Sequence, residues 1–375
     1  MSEWKEYFLA EIAEIISNRV SISKANLDNY ISTENLIPNF GGVSKSESIP
    51  NVPSINSFNE GDTLFSNIRT YFKKVWYSKF NGTVSPDVLV FRSKPQKCTS
   101  KFLYYLLCQP EFTEYTVLTS KGAKMPRGDK DAILNYKIAI PSIATQTAIA
   151  SILSSLDDKI DLLHRQNATL EKMAETLFRQ WFVEEAKEDW EEGDIYNFVD
   201  IVYGFPFKSK HFNEERRGKP LIRIRDLKDG YSNIYTDEEF DTKYILKNGD
   251  LVAGMDGEFR LYIWSGIDSL MNQRTCKFIP KNDSISNFFI FSLVKPHLHF
   301  YEMTKVGTTV IHLGKSDLDA IKISIPPPEL VYNFGEITNP WFEKLQNNNI
   351  ELLNLKELRE ILLPKLMSGE ITIKP

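Results

Sequence analysis

One spacing recurs in this chain, and it limits the fold more than composition does. Gly122 is followed nineteen residues on by Pro141 in KIAIPS, and Gly307 is followed nineteen residues on by Pro326 in KISIPP. Both pairs are offset by 185. The same offset carries Lys159, Ile160, Leu170 and Leu177 onto Lys344, Leu345, Leu355 and Leu362. Upstream, EGDTLFS (60–66) matches NGDLVAG (248–254) at an offset of 188, a drift of the size that changes in loop length produce. A repeat must be placed before any element is assigned, because it decides how many times the fold is built. Here the order is block, helix, block, helix.

Each block is rich in β-branched and aromatic residues and is broken by Asn, Gly, Ser and Pro. Short strands such as VLVFRS (88–93) and YKIAIP (136–141) are expected, with short helices such as 101–109. The expected class is therefore α+β, with two tandem domains related by the repeat. Pro141 and Pro326–Pro328 close each block just before its helix, where proline is tolerated. The boundaries read as a first block over 1–143, a long helix over 144–184, a second block over 185–328 and a second helix with tail over 329–375.

The stretch SLDDKIDLLHRQNATLEKMAETLFRQWF (155–182) has no glycine or proline. Ile149, Ile152, Leu156, Ile160, Leu163, Leu170, Ala174, Leu177 and Trp181 follow one another at gaps of three and four, with Asn167 in the open slot. The second helix answers with Leu345, Asn348, Leu352, Leu355, Leu362 and Leu366, with Arg359 as a polar exception. Sustained heptad spacing is the pattern of a coiled coil, and one polar residue in a seam fixes its register. The alternative is that each helix packs on its own block. If the helices pair they run antiparallel, as a rod of roughly 50 Å for about 36 residues, with the two blocks at its ends and an approximate two-fold axis across it. Phe178, Trp181 and Phe182 then fall on the outside of the rod and are expected to be covered by a partner.

Composition excludes several classes. No apolar run approaches the roughly 18 residues that span a bilayer. The opening MSEWKEYFLAEIAEI carries acids early, so no secretory signal is expected. Cys98, Cys108 and Cys276 are scattered and form no CxxC, which fits a reducing cytoplasm and no zinc site. The net charge of −5 misleads, because the acidic run VEEAKEDWEEGD (183–194), which reads as a solvated linker, alone carries −6 and leaves +1 for the rest. Local patches therefore matter more than the total.

These features resemble one family. GDTLFSNIR (61–69), GAKMPRGDKDAILNYKIAIPS (122–142) and Gln146 ahead of the first helix, then VGTTVIHLGKSDLDAIKISIPPP (306–328) and LLPKLMSGEI (362–371), are similar in kind and order to the specificity subunit of type I restriction–modification enzymes. The second copy has Val331 where the first has Gln146. The resemblance implies two target recognition domains, each reading one half of an asymmetric bipartite DNA site, and helices that set the spacer. It also implies docking of two methyltransferase subunits and a restriction/translocase subunit. The chain itself would hold no cofactor, with S-adenosylmethionine, ATP and Mg in the partners. The alternative is a scaffold with two ligand- or protein-binding domains on a coiled-coil rod.

Two segments of the first block suit DNA. SNIRTYFKK (66–74) offers Asn67, Arg69, Lys73 and Lys74, types that neutralise phosphate or read base edges. SKGAKMPRGDK (120–130) offers Lys121, Lys124, Arg127 and Lys130 in a loop whose glycines allow close approach. A lysine-decorated strand edge and an ordinary loop are the plain alternatives. The second-block counterparts are Arg260, Gln273, Arg274, Lys305, His312 and Lys315.

Catalytic motifs are weak. NPWF (339–342) departs from an amino-methyltransferase motif at Trp341, and NFGGVS (39–44) lacks the spacing of a nucleotide loop. Asp157–Asp158–Lys159 lies in the helix, and His297 with His299 lacks a third metal ligand.

Overall fold

A computed structural model describes residues 4–305 and 311–373. The chain forms two compact units, one of residues 1–159 with 356–375 and one of residues 160–355. Each unit therefore contains one block and takes part of both long helices.

In the first unit, strand Lys5–Phe8 pairs antiparallel with Lys137–Ile140 and ties the start of the block to its end. The main sheet runs Ala13–Ile16, Val88–Ser93, Thr63–Ser66, Val75–Tyr77, all antiparallel. A second sheet runs Asn18–Ser21, Ser54–Phe58, Gly82–Val84, Tyr30–Ile31. The continuous apolar run of VLVFRS follows from two cores at once. Leu89 and Phe91 point into one, with Phe65, and Val88 and Val90 into the other, with Leu64. Alternation along a strand sends neighbours to opposite faces, so both faces must be apolar. Helix Ser100–Leu107 starts at Thr99, whose hydroxyl accepts the Phe102 amide at 3.4 Å.

The second unit repeats this plan. Strand Glu191–Asp194 pairs with Lys322–Ile325, the counterpart of the first closing pair. The acidic run is thus not all linker, since its last four residues are a strand. Its main sheet runs Val199–Tyr203, Thr275–Pro280, Leu251–Gly254, Leu261–Ile263, and its second sheet has five strands. Leu251 and Ala253 enter one core and Val252 the other, as in the first block.

The long helices are Ile143–Arg179, continued by a wider turn at Gln180–Glu184, and Pro328–Met367. In the first unit, Ile149, Ala150 and Leu153 share a core with Leu363, Leu366 and Met367, and Asp157 pairs with Arg359. In the second, Asn167 meets Asn349 and Phe178 meets Phe334, which is an antiparallel pairing.

Asn167, Leu163 and Ala174 are buried in the seam as expected. Ile152 is not: it is 38% exposed, and Leu153 is buried in its place. Over its first turns the helix packs on its block as well as on the other helix, so its stripe is set by two surfaces. Among the described residues no helix is long and apolar enough to cross a membrane.

Gln146 explains one part of the motif around it. Its carboxamide accepts the Thr99 amide at 2.9 Å and donates to the carbonyls of Lys97 and Pro141, each at 2.9 Å. It is fully buried and locks the helix start to the block. Val331, at the matching offset, packs in an apolar core instead.

Candidate nucleic-acid interface

The two basic segments of the first block lie side by side. The Arg69 amide donates to the Pro126 carbonyl at 2.9 Å, and the Gly128 amide donates to the Asn67 carbonyl at 3.0 Å. The Asn67 amide donates to the Asp87 carbonyl at 2.8 Å. Lys121 and Arg127 close the loop by reciprocal backbone bonds of 2.8 and 2.9 Å, with Gly122 at φ +98°, where glycine is at ease. The side chains of Arg69, Lys124, Arg127 and Lys130 are exposed around this junction. Tyr71 and Met125, about half exposed, lie on the same segments, and the Tyr71 and Phe72 rings are 4.7 Å apart. A cluster of exposed cations suits a polyanion such as a phosphate backbone.

The surface is not uniformly free. Arg127 pairs with Asp87 at 3.1 Å. Lys121 pairs with Asp129, whose carboxyl the lysine holds below the usual range. Two candidates have structural placements. The Asn67 side chain is buried under the loop, with only 8% of the residue exposed, so it does not reach outward to a base. Lys74 donates to the Thr33 carbonyl at 2.6 Å, and burial lowers the affinity of its amine for a proton. Lys73 is half-buried in a left-handed conformation, φ +53°.

The second block redraws the same frame. The Gly257 amide donates to Ile311 at 2.9 Å, Leu313 to Met255 at 2.8 Å, and Met255 to Arg274 at 2.9 Å. Shifted back by 188 for Gly257 and Met255, by 185 for Ile311 and Leu313, and by 187 for Arg274, as strand Thr275–Pro280 is from Val88–Ser93, these are the bonds of Arg69 to Pro126, Gly128 to Asn67, and Asn67 to Asp87. The side chains on the frame differ. Gly257 stands for Arg69, His312 for Arg127 and Arg274 for Asp87. Arg274 pairs with Asp256 at 3.2 Å, and the His312 imidazole meets the same carboxylate at 2.5 Å. Lys305 donates to the His312 carbonyl at 2.9 Å and to Asp317 at 2.7 Å, so it braces the loop. Arg260 lies 3.9 Å from Glu258, and Lys315 is exposed. Gly307 and its neighbours 306–310, part of the motif read from sequence, lie outside the described residues.

A family model of the type I restriction modification DNA specificity domain matches residues 1–172 and again residues 187–361. The chain belongs to that family. It is similar to the type I restriction enzyme HindI specificity subunit of Haemophilus influenzae, 24% identical with 99% of this chain and 100% of that protein aligned. It is also similar to the type I restriction enzyme MjaIX specificity subunit of Methanocaldococcus jannaschii, 28% identical over 73% of this chain and 70% of that protein. Among solved structures, the S subunit of a type I restriction–modification system from M. genitalium shares the fold, with a TM-score of 0.59, 16% identity and coverage of 100% and 97%.

In this specificity-domain protein the second block carries a cleft of about 550 Å³ beside the frame. Arg223, Arg225, Lys228, Gln273 and Arg274 line it, with Tyr262 and the carboxylates of Asp256 and Glu258. Gln273 and Arg274 were expected from sequence, but Arg223, Arg225 and Lys228 were not. They come from LIRIRDLKDG (221–230), just after strand Lys219–Ile222: Arg223 precedes the short helix Ile224–Leu227, Arg225 lies in it and Lys228 follows it. That close run of basic residues was the available signal. Arg223 is held by Asp226 at 2.8 Å, whereas Arg225 and Lys228 have no carboxylate partner among the described residues.

The aromatics assigned to a partner surface lie elsewhere than expected. Phe178 is buried, and Trp181 and Phe182 pack half-buried on the same second-unit core, around Phe289 and Phe334. The heptad reading placed them outside the rod because it omitted the block that covers this helix. NPWF lies inside the second helix, and Asp157 is engaged by Arg359 and the Tyr105 hydroxyl. No group of three or more metal-ligating side chains is clustered among the described residues.

Proposed function

We propose that the chain is the DNA specificity subunit of a type I restriction–modification enzyme, with each block reading one half of an asymmetric bipartite site. The observation that carries this is the duplicated frame. The same three backbone hydrogen bonds support Arg69, Lys124, Arg127 and Lys130 in one block, and His312, Arg274 and the Arg225–Lys228 cleft in the other. A shared frame with different basic side chains is what two readers of different sequences require. Arg225, Arg274 and Gln273 are the types that read guanine and adenine edges, while the lysines contribute phosphate contacts. The helices set the distance between half-sites and dock two methyltransferase subunits, which a restriction/translocase subunit joins. S-adenosylmethionine, ATP and Mg belong to those partners, and this chain contributes recognition without chemistry.

Methylome sequencing of cells carrying the complete system tests this. Arg69→Ala is expected to relax one half of the methylated motif and Arg225→Ala the other. Each loss should be about ten- to a hundredfold in preference at the affected position, as for a single bidentate contact. Equal relaxation of both halves by either variant would refute the assignment of one block to one half-site.

A further inference from the structure

In the first unit the reading segment is tied to the helix seam by one small loop. Residues Leu36 to Val43 close on themselves through a bridge between Leu36 and Val43 and an Ile37 amide bond to the Gly42 carbonyl at 3.0 Å. At its tip, Asn39 and Phe40 are both left-handed, at φ +55° and +61°. Asparagine tolerates this conformation, but a bulky aromatic rarely does, and it persists only where the surroundings over-determine it. Two sets of contacts do so. The Asn39 amide donates to the Phe72 carbonyl and the Phe40 amide to the Lys73 carbonyl, each at 3.0 Å. The Phe40 ring lies under the Arg359 guanidinium, 5.3 Å from centroid to carbon. The loop thus grips the segment that carries Arg69 and Tyr71 with its backbone, and the second long helix with its ring.

Arg359 is itself fixed. Its Nε donates to Asp157 at 2.5 Å, and the other Asp157 oxygen accepts the Tyr105 hydroxyl at 2.9 Å. This charged cluster is not demanded by helix packing. At the matching repeat positions the second unit has Ala174 and Phe342, both buried in an apolar core. An apolar seam was therefore available to this fold, and buried ion pairs are often no more stable than apolar replacements. What the charged version adds is a planar cation held in one place, on which an aromatic ring can be seated.

We propose that Phe40 and Arg359 are positioning residues for DNA recognition, which seat the 69–73 segment on the helix seam and so fix where Arg69 is presented. The inference rests on the reading above, in which the first block reads one half-site. Neither residue touches DNA.

The test uses the complete methyltransferase complex and DNA duplexes mismatched in one half-site or the other. Phe40→Leu keeps an apolar side chain of most of the volume and removes the ring face. It should lower discrimination against first-half mismatches about fivefold, on the scale of one cation–π contact, with second-half discrimination unchanged and the melting temperature lowered by no more than about 4 °C. Phe40→Tyr should restore wild-type discrimination. Hydrogen exchange on the unmodified complex provides a check that needs no variant: the amides of Asn39 and Phe40 should be protected as well as those of strand Val88–Ser93. Fast exchange there, a loss shared equally by both halves, or lower stability without a change in discrimination would overturn the inference. Arg69→Ala is the control. If it relaxes the first half and Phe40→Leu does not, the link is wrong. If Arg69→Ala itself leaves the first half intact, the half-site assignment falls, and the inference falls with it.

Discussion

The seam of the second unit offers a prediction whose size follows from counted hydrogen bonds. Asn167 donates to Asn349 Oδ1 at 2.8 Å and accepts from Asn348 Nδ2 at 2.8 Å, and all three side chains are buried. Asn349 donates onward to Asn248 at 3.1 Å, and Asn248 exchanges bonds with the Gln346 backbone and side chain at 2.8 and 2.9 Å. The ladder therefore runs from the helix pair into the turn that carries Gly249. Asn167→Ala removes two bonds and orphans one donor and one acceptor in an apolar surround. At roughly 1–3 kcal/mol per orphaned buried group the cost is about 2–6 kcal/mol. The lower part of that range is expected, because Asn348 Nδ2 keeps a long contact to Gln166 at 3.4 Å. Urea denaturation of the full chain, followed by tryptophan fluorescence, reads this directly, since Trp181 and Trp341 pack on the core of this unit. Asn348→Ala and the double variant complete the cycle, and the coupling should lie within about 0.5–3 kcal/mol. A cost of Asn167→Ala below about 0.5 kcal/mol, or a cycle that closes without coupling, would refute the view that these amides act as one buried network.

Other outcomes follow from the same structure. All three cysteines are buried, and burial pushes each thiol up to about 12. A thiol reagent at neutral pH should therefore label none of them in the folded chain and all three in urea; labelling of the native state would contradict the cores as drawn. A methyl group on Gly128 would lie 2.6 Å from Asn67 Oδ1 and 3.0 Å from Ile133. Gly128→Ala should cost roughly 1–3 kcal/mol by overpacking and weaken the first half-site, as melting and binding titrations would register. Removing 160–166 together with 350–356 keeps the Asp157–Arg359 and Asn167–Asn349 pairings, because seven residues leave each strand of the seam. The helices shorten by about 10 Å, and the spacer in the methylated motif should shorten by about three base pairs. An unchanged spacer would remove the ruler from the mechanism.

The repeat, the class and the long helices were legible because each rests on a strong periodic signal. Segments 66–74 and 120–130 were each legible as basic candidates, but nothing in the sequence placed them side by side; that adjacency comes from the backbone bonds of Arg69 to Pro126 and Gly128 to Asn67. What stayed hidden depended on contacts between distant parts. Phe178 looked like an outer rod residue until the second block was placed over it. Asn67 and Lys74 had the composition of readers, but one is buried under Gly128 and the other is spent on the Thr33 carbonyl. Glu191–Asp194 read as solvated linker because acids and a glycine are poor strand formers. Its pairing with Lys322–Ile325 outweighs that preference. Arg225 and Lys228 were passed over because the repeat offers no equivalent cluster in the first block.

The division of the chain into units also sets an order in time. The first unit needs Leu363, Leu366 and Met367 from the far end of the second helix to cover Ile149, Ala150 and Leu153. Residues 160–355 must be synthesised in between, which takes roughly 10–40 s at ordinary translation speed. Throughout that interval the first block emerges with an apolar helix stripe and no cover for it. The block that leaves the ribosome first is thus the last to be completed, and its completion reports that the second block has already been made.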